Sequence, residues 1–156
     1  MIKHILIATD GSDLAQKAVE HGLTLAKALD AKATILTVTE SIESATKSWD
    51  VINLARAVEK HPERSFSENF AVATAEAAQA ILEPAAQTAK SLGVAARTAH
   101  VEDEYPAPGI VRAARERGCD LIVMASHGRR GLSRIVLGSQ AAEVVATATV
   151  PVTIVR

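Results

Sequence analysis

A short glycine-containing stretch late in the chain has the residue types and spacing of an anion-binding loop. Ala125-Ser126-His127-Gly128 follows an apolar run, and nine residues later Gly138-Ser139 precedes a helical pattern at 140–147. Glycine lets a backbone approach a ligand closely, and the first N–H groups of a helix have no partner within it. Arg129 and Arg130 add positive charge to this loop. The pattern therefore favours the binding of phosphate groups.

Two common phosphate-binding motifs are missing from the sequence. No lysine followed by serine or threonine stands after a glycine at the P-loop spacing. Ala8-Thr9-Asp10-Gly11-Ser12 occupies the place after the first strand where a dinucleotide-binding fold carries Gly-x-Gly-x-x-Gly. A phosphate site in this chain must therefore be of another kind.

Composition limits the class of protein. The 156 residues are 48% hydrophobic and 22% charged, which is typical of one globular domain. The formal net charge of -1 argues against nucleic acid as a partner. No apolar run approaches the roughly 20 residues that cross a membrane, and no signal peptide is evident. A single cysteine, Cys119, and histidines without metal-ligand spacing predict a cytoplasmic protein with no protein-only metal site.

Strand-like and helical patterns alternate along the chain. Strands are predicted at residues 2–8, 33–39, 94–101, 121–125 and 150–155. Helices are predicted at residues 13–29, 70–92, 108–117 and 140–147. The first helix is expected to begin at a capping box formed by Asp13 and Gln16. This alternation predicts a parallel sheet with helices on both faces.

Polarity indicates which strands lie at the edges of the sheet. The run 94–101 is polar for a strand buried on both faces, and Pro151 cannot donate to a strand on either side. With these two at the edges, the fold is a single-domain α/β structure with an open five-stranded parallel sheet in the order 3-2-1-4-5. Ligands bind such sheets at the carboxyl ends of the strands, where the order reverses. Asp10 and Gly128 follow the two strands at that point, so a ligand site is expected between them.

One segment interrupts the alternation. Residues 41–67 are too many for a bare loop in a compact domain, and an apolar repeat within them predicts a short helix at 49–60. We expect a mobile insertion at 41–67.

Four segments, residues 5–12, 121–131, 138–139 and 150–152, together resemble the nucleotide-binding branch of the universal stress protein family. The motif Gly-x2-Gly-x9-Gly-Ser/Thr marks that branch, and Ala125 stands here in place of its first glycine. The resemblance implies an ATP-binding protein of the stress response, and Mg²⁺ on the nucleotide is an optional further cofactor. The site residues expected from the loop pattern and the resemblance are Ala8, Thr9, Asp10, Val38, Met124, Ala125, Ser126, His127, Gly128, Arg129, Arg130, Gly138, Ser139 and Gln140.

The resemblance also implies roles for these residues. Asp10 would contact the ribose or the adenine, and the backbone of Val38 would contact the adenine edge. Ala8 and Met124 would give apolar contact with the base. Phosphate contacts, largely through backbone N–H groups, would come from Gly128, Arg129, Gly138, Ser139 and Gln140.

No set of residues in the sequence indicates an efficient enzyme. There is no nucleophile with an orienting base and no pair of carboxylates for two metals, so we expect at most a slow ATPase. An alternative is a protein-interaction module of the same fold that does not bind nucleotide, with Ala125 as the reason. The apolar edge strand formed by Val152, Thr153, Ile154 and Val155 predicts a homodimer, and an unidentified protein partner is possible.

Overall fold

The structure is a computed structural model that describes residues 1–41, 58–102, 104–128 and 137–156. Its strands are β1 (His4–Ala8), β2 (Lys32–Val38), β3 (Ala96–Val101), β4 (Leu121–Ala125) and β5 (Val152–Val155). Its longer helices are α1 (Asp13–Ala28), α2 (Phe66–Leu92), α3 (Pro106–Glu116) and α4 (Ser139–Thr147).

The five strands form one parallel sheet in the order β3-β2-β1-β4-β5, which confirms the predicted fold. The central strand β1 is buried along its whole length, because helices cover both of its faces. Every residue of β5 is partly exposed, and β3 has two exposed residues. The polar run and the strand that follows Pro151 are therefore the edges, as their sequences predict.

Side chains alternate along β1 and build two cores. Leu6 and Ala8 pack against α3 and α4, whereas Ile5 and Ile7 pack against α1 and α2. This is the period of two expected for a strand buried on both faces. The two faces of the sheet are therefore distinct, and a side chain's position along a strand decides which helices it meets.

The N-cap of the first helix lies one residue before the predicted cap, Asp13. Ser12 is the N-cap, and its hydroxyl accepts a hydrogen bond from the Ala15 N–H at 3.2 Å. Asp13 is already helical, so the predicted capping box of Asp13 and Gln16 is wrong. The Gln16 side chain instead donates to the Thr88 hydroxyl of α2 at 3.3 Å, which joins the two helices of this face.

The start of α2 also differs from the prediction. Ser65 and Glu68 form a reciprocal capping box: the Ser65 hydroxyl accepts from the Glu68 N–H, and the Glu68 carboxylate accepts from the Ser65 N–H. The helix therefore begins at Phe66, inside the segment 41–67 predicted as an insertion. Residues 42–57 of that segment lie outside the described residues, and 58–60 are helical. Within the described ranges no helix is long and apolar enough to span a membrane.

A partly buried polar network joins the amino ends of the strands. Asp120 accepts hydrogen bonds from the main-chain N–H groups of His4 and the residue before it. The His4 ring donates through Nδ1 to the Arg117 carbonyl at 3.1 Å and accepts at Nε2 from the Thr34 hydroxyl at 2.8 Å. Burial is the main cause that lowers the pKa of His4, and burial raises the pKa of the adjacent Cys119 thiol to about 11. Hydrogen bonds to the Asp120 carboxylate and through the neutral His4 ring therefore hold this end of the sheet together.

Candidate functional site

The loops after β1 and β4 meet at the carboxyl ends of the strands, where the strand order reverses. Asp10 Oδ1 accepts a hydrogen bond from the Ser12 N–H at 3.0 Å, so this carboxylate shapes the turn into α1. Its other oxygen lies against Gly128, because a Cβ added to Gly128 would overlap Asp10 Oδ2. The two sequence features that predict a ligand site therefore lie in direct contact.

An apolar floor lies beside this contact. Ala8 and Met124 are buried in the core beneath α3 and α4, and Val38 packs against the same core while staying partly exposed. Gly109 of α3 lies so close to Val38 that an added Cβ would be 3.0 Å from the Val38 Cγ1 atom. The three residues expected to contact an adenine ring therefore share one face of the sheet.

Ala125, the departure from the family motif, belongs to the opposite face. It is 8% exposed and packs with Ala15 and Ala18 of α1, whereas its neighbour Met124 packs beneath α3 and α4. Among the described residues other than glycine, only Asp30 has a positive φ, so Ala125 requires no glycine-like backbone. The extra methyl group therefore points away from the apolar floor.

Ser126 joins the loop after β4 to two other elements. Its N–H donates to the Val155 carbonyl of β5 at 2.8 Å, and its carbonyl accepts from the Gly138 N–H at 2.8 Å. Its buried hydroxyl lies 3.1 Å from His127 Nδ1 and orients that ring. The loop is therefore fixed between the edge strand and the start of α4.

Close neighbours, rather than the backbone angles, favour glycine at position 138. It caps α4 with φ -61° and ψ 152°, which any residue can adopt. An added Cβ would lie 3.1 Å from the Ser126 carbonyl oxygen and 3.2 Å from His127 Cα. Its own N–H is donated to Ser126, so the N–H groups of Ser139 and Gln140 are the next ones in the first turn that face outward along the helix axis.

The Gln140 side chain makes a contact that sequence reasoning missed. Its Oε1 atom accepts a hydrogen bond from the Ala107 N–H at 2.8 Å, which ties α4 to α3. The contact joins residues 33 apart in the chain, so no local pattern reveals it. The available signal was the pair Pro106 and Pro108, which leaves Ala107 as a single N–H in need of an acceptor.

Charged side chains hold the start of α3 in place. Arg112 forms ion pairs with Glu104 at 2.5 Å and with Glu116 at 2.9 Å. Its hydrogen bonds to these carboxylates, that to Glu104 above all, raise the pKa of Arg112 above its ordinary value. The Glu104 N–H also donates to the Thr39 carbonyl just beyond β2, at 3.3 Å. The loop that carries the exposed Tyr105 is therefore anchored at the edge of the crevice.

Other predicted residues have structural partners or lie outside the description. Thr9 is buried; its N–H donates to the Leu36 carbonyl at 2.9 Å and its hydroxyl accepts from the Gly11 N–H at 3.2 Å. Arg129 and Arg130 lie outside the described residues, as do 131–136. The described residues contain no group of three or more His, Cys, Asp or Glu side chains that could hold a metal ion. That the protein has no metal site of its own stays a prediction.

The predicted dimer strand lies at the sheet edge. In the part of the chain that is described, β5 pairs only with β4, so its outer main-chain groups face away from the sheet. Val152 and Ile154 pack against the core beneath α3 and α4, and Val155 packs against the core on the α1 side. The main-chain edge, rather than a continuous apolar face, is what this strand offers to a partner.

The geometry is that of a parallel α/β protein with a ligand crevice at the switch point of the sheet, between β1 and β4. Comparison with known proteins identifies the family. The model of the universal stress protein family matches residues 1–156, and the chain belongs to that family.

Individual relatives agree with this assignment. Universal stress protein YxiE of Bacillus subtilis is 36% identical over 156 residues, with 100% of both chains covered. The structure of MJ0577 from Methanocaldococcus jannaschii is 28% identical with a TM-score of 0.73, covering 99% of this chain and 96% of the other. A universal stress protein solved in complex with cAMP is 24% identical with a TM-score of 0.67, covering 99% of this chain and 97% of the other. At that identity the last likeness supports the fold alone.

Proposed function

We propose that this protein binds an adenine nucleotide, ATP in the cell, in the crevice between β1 and β4. The observation that carries the proposal is the contact between the Asp10 carboxylate and Gly128 at the switch point of the sheet. An acceptor after β1 beside a glycine loop after β4 can receive a ribose hydroxyl and leave room for phosphates. Membership of the universal stress protein family, whose nucleotide-binding branch this chain resembles in its loop residues, supports the same class of ligand.

The proposed ligand lies along the crevice with its two ends in different surroundings. The base packs on Ala8 and Met124, with the Val38 backbone at its edge. The phosphates extend toward the first turn of α4, where the N–H groups of Ser139 and Gln140 and the positive end of the helix dipole favour negative charge. Gly128 lets the loop backbone approach the ligand closely, and Arg129 and Arg130, the next residues in the sequence, are proposed to add positive charge for the phosphates.

The alternative of an interaction module without nucleotide depends on Ala125 blocking the crevice. The Ala125 methyl packs against Ala15 and Ala18 on the other face of the sheet, so it does not narrow the crevice. This observation favours the nucleotide-binding proposal over the alternative.

We further propose a cytoplasmic regulatory role in the stress response, exerted through a homodimer. The dimer would form by antiparallel pairing of β5 with its symmetry mate, because a two-fold axis makes a strand edge complementary to itself. Other protein partners would use the surface of that dimer. ATP hydrolysis would be slow, since His127 is oriented by the Ser126 hydroxyl rather than by a carboxylate.

The test is ATP binding measured by isothermal titration calorimetry on wild type and on Asp10 variants. A hydrogen bond to a charged group contributes about 1.5–3 kcal/mol, so Asp10→Ala should weaken ATP binding by roughly one to two factors of ten. Asp10→Asn keeps an acceptor for the Ser12 N–H and separates loss of the charge from loss of the turn. Asp13→Ala, at an exposed residue three positions away, is the matched control and should bind ATP as wild type does. Absence of ATP binding by wild type at millimolar concentration would refute the proposal.

A further inference from the structure

The Gln140 side chain makes a hydrogen bond that joins the two helices that wall the crevice. We propose that it is a positioning residue, which fixes the distance between the end of the crevice that takes the base and the end that takes the phosphates. The inference rests on the proposed function and goes beyond it, because it assigns the Gln140 side chain to the protein framework rather than to the ligand.

Only one of the first three residues of α3 has a main-chain N–H group that could bind a ligand. Pro106 and Pro108 have none, and the N–H of Ala107 between them is donated to Gln140 Oε1 at 2.8 Å. Ala107 is fully buried, so its N–H depends on the Gln140 side chain for an acceptor. The start of α3 is therefore closed to phosphate, and α4 is the wall that keeps N–H groups for an anion.

The same hydrogen bond connects the helix beside the base end of the crevice to the helix at its phosphate end. Gln140 is the second residue of α4, so holding its side chain also holds the first turn, with its Ser139 and Gln140 N–H groups. On the other side, α3 rests on Val38 through Gly109, next to the apolar floor for the base. A ligand that reaches both ends benefits from this fixed spacing, whereas a ligand that occupies only one end does not.

The experiment compares ATP with adenosine on Gln140→Met, a variant of similar length that lacks the acceptor. ATP reaches both ends of the crevice and adenosine reaches only the base end. We expect ATP affinity to fall about tenfold, which corresponds to about 1.4 kcal/mol, and adenosine affinity to stay within about twofold of wild type. Gln79→Met, at an exposed glutamine of α2, is the matched control and should change neither affinity.

Amide hydrogen exchange of Ala107 gives a readout that does not depend on ligand. Exchange at Ala107 should be faster in Gln140→Met and close to the wild-type rate in Gln140→Glu, because a carboxylate oxygen keeps the acceptor. Unchanged exchange in Gln140→Met would overturn the inference.

The binding data distinguish the failure of this inference from failure of the proposed function. If wild type binds ATP and Gln140→Met binds it equally well, the positioning role is wrong and the proposed function stands. If both ligands weaken equally in Gln140→Met, Gln140 has a general structural role and the inference is overturned. If wild type binds neither ligand, the proposed function is wrong and the positioning role falls with it.

Discussion

Removing the methyl group of Ala125 should lower stability without improving nucleotide binding. The side chain is 8% exposed and packs on Ala15 and Ala18 of α1. Loss of a buried methyl costs about 0.8 kcal/mol, and glycine inside a strand costs roughly 0.5–1 kcal/mol more, giving about 1.3–1.8 kcal/mol in total. In a domain of this size each kcal/mol lowers the melting temperature by about 2–4 °C, so Ala125→Gly should melt roughly 3–7 °C lower.

The assay combines thermal unfolding with calorimetric titration of ATP. ATP affinity of Ala125→Gly should stay within about twofold of wild type, because the methyl group lies on the far face of the sheet. Ala8→Gly is the matched control: Ala8 ends the adjacent strand but faces the crevice side, so this variant should lose stability and also bind ATP more weakly. Clearly tighter ATP binding by Ala125→Gly would refute the reasoning, since it would mean that the methyl group obstructs the ligand.

Three further perturbations test other parts of the structure. Gly138→Ala should lower both stability and ATP affinity, since its Cβ would lie 3.1 Å from the Ser126 carbonyl oxygen. Gly22→Ala, which is crowded against β1 on the other face of the sheet, is the control and should lower stability alone. Equal losses of ATP affinity in the two variants would contradict this prediction. Ile154→Lys should yield monomers in sedimentation velocity, and a persistent dimer would place the interface elsewhere. The free energy of unfolding should fall as pH drops below 6.5, because the folded protein keeps His4 neutral while the unfolded chain takes up the proton. His4→Leu should flatten this decline, leaving the contribution of the partly buried His100, whose pKa is also lowered by burial, and identical pH profiles would show that His4 is not its source.

The strand order was predictable because each strand's sequence reports its surroundings. The polar run that became β3 and the proline before β5 both indicated edges, and the tendency of consecutive strands to lie side by side favours the order 3-2-1-4-5. Helix starts were less predictable, because several residues can cap a helix. Ser12 rather than Asp13 caps the first helix, because the Asp10 carboxylate accepts from the Ser12 N–H and fixes the turn. The Ser65–Glu68 capping box lay within a segment interpreted as an insertion.

Some features of the candidate site could likewise be predicted from the sequence, and one could not. Asp10 and Gly128 could be predicted to meet, because both follow strands at the switch point. The direction of Ala125 was also available from the sequence, since alternation along β4 sends it to the face opposite Met124. The role of the Gln140 side chain was not available, because its partner is defined only when α3 and α4 pack together.

The loop after β4 also carries an evolutionary consequence. Ser126 makes its two bridging hydrogen bonds, to Val155 and from Gly138, through main-chain atoms, so selection for those bonds does not select for serine. Any small residue other than proline keeps the donor, and an alignment of relatives should show variation at this buried position that excludes proline. Position 138 should vary far less, because there the restriction is the absence of a side chain rather than the presence of a main-chain bond.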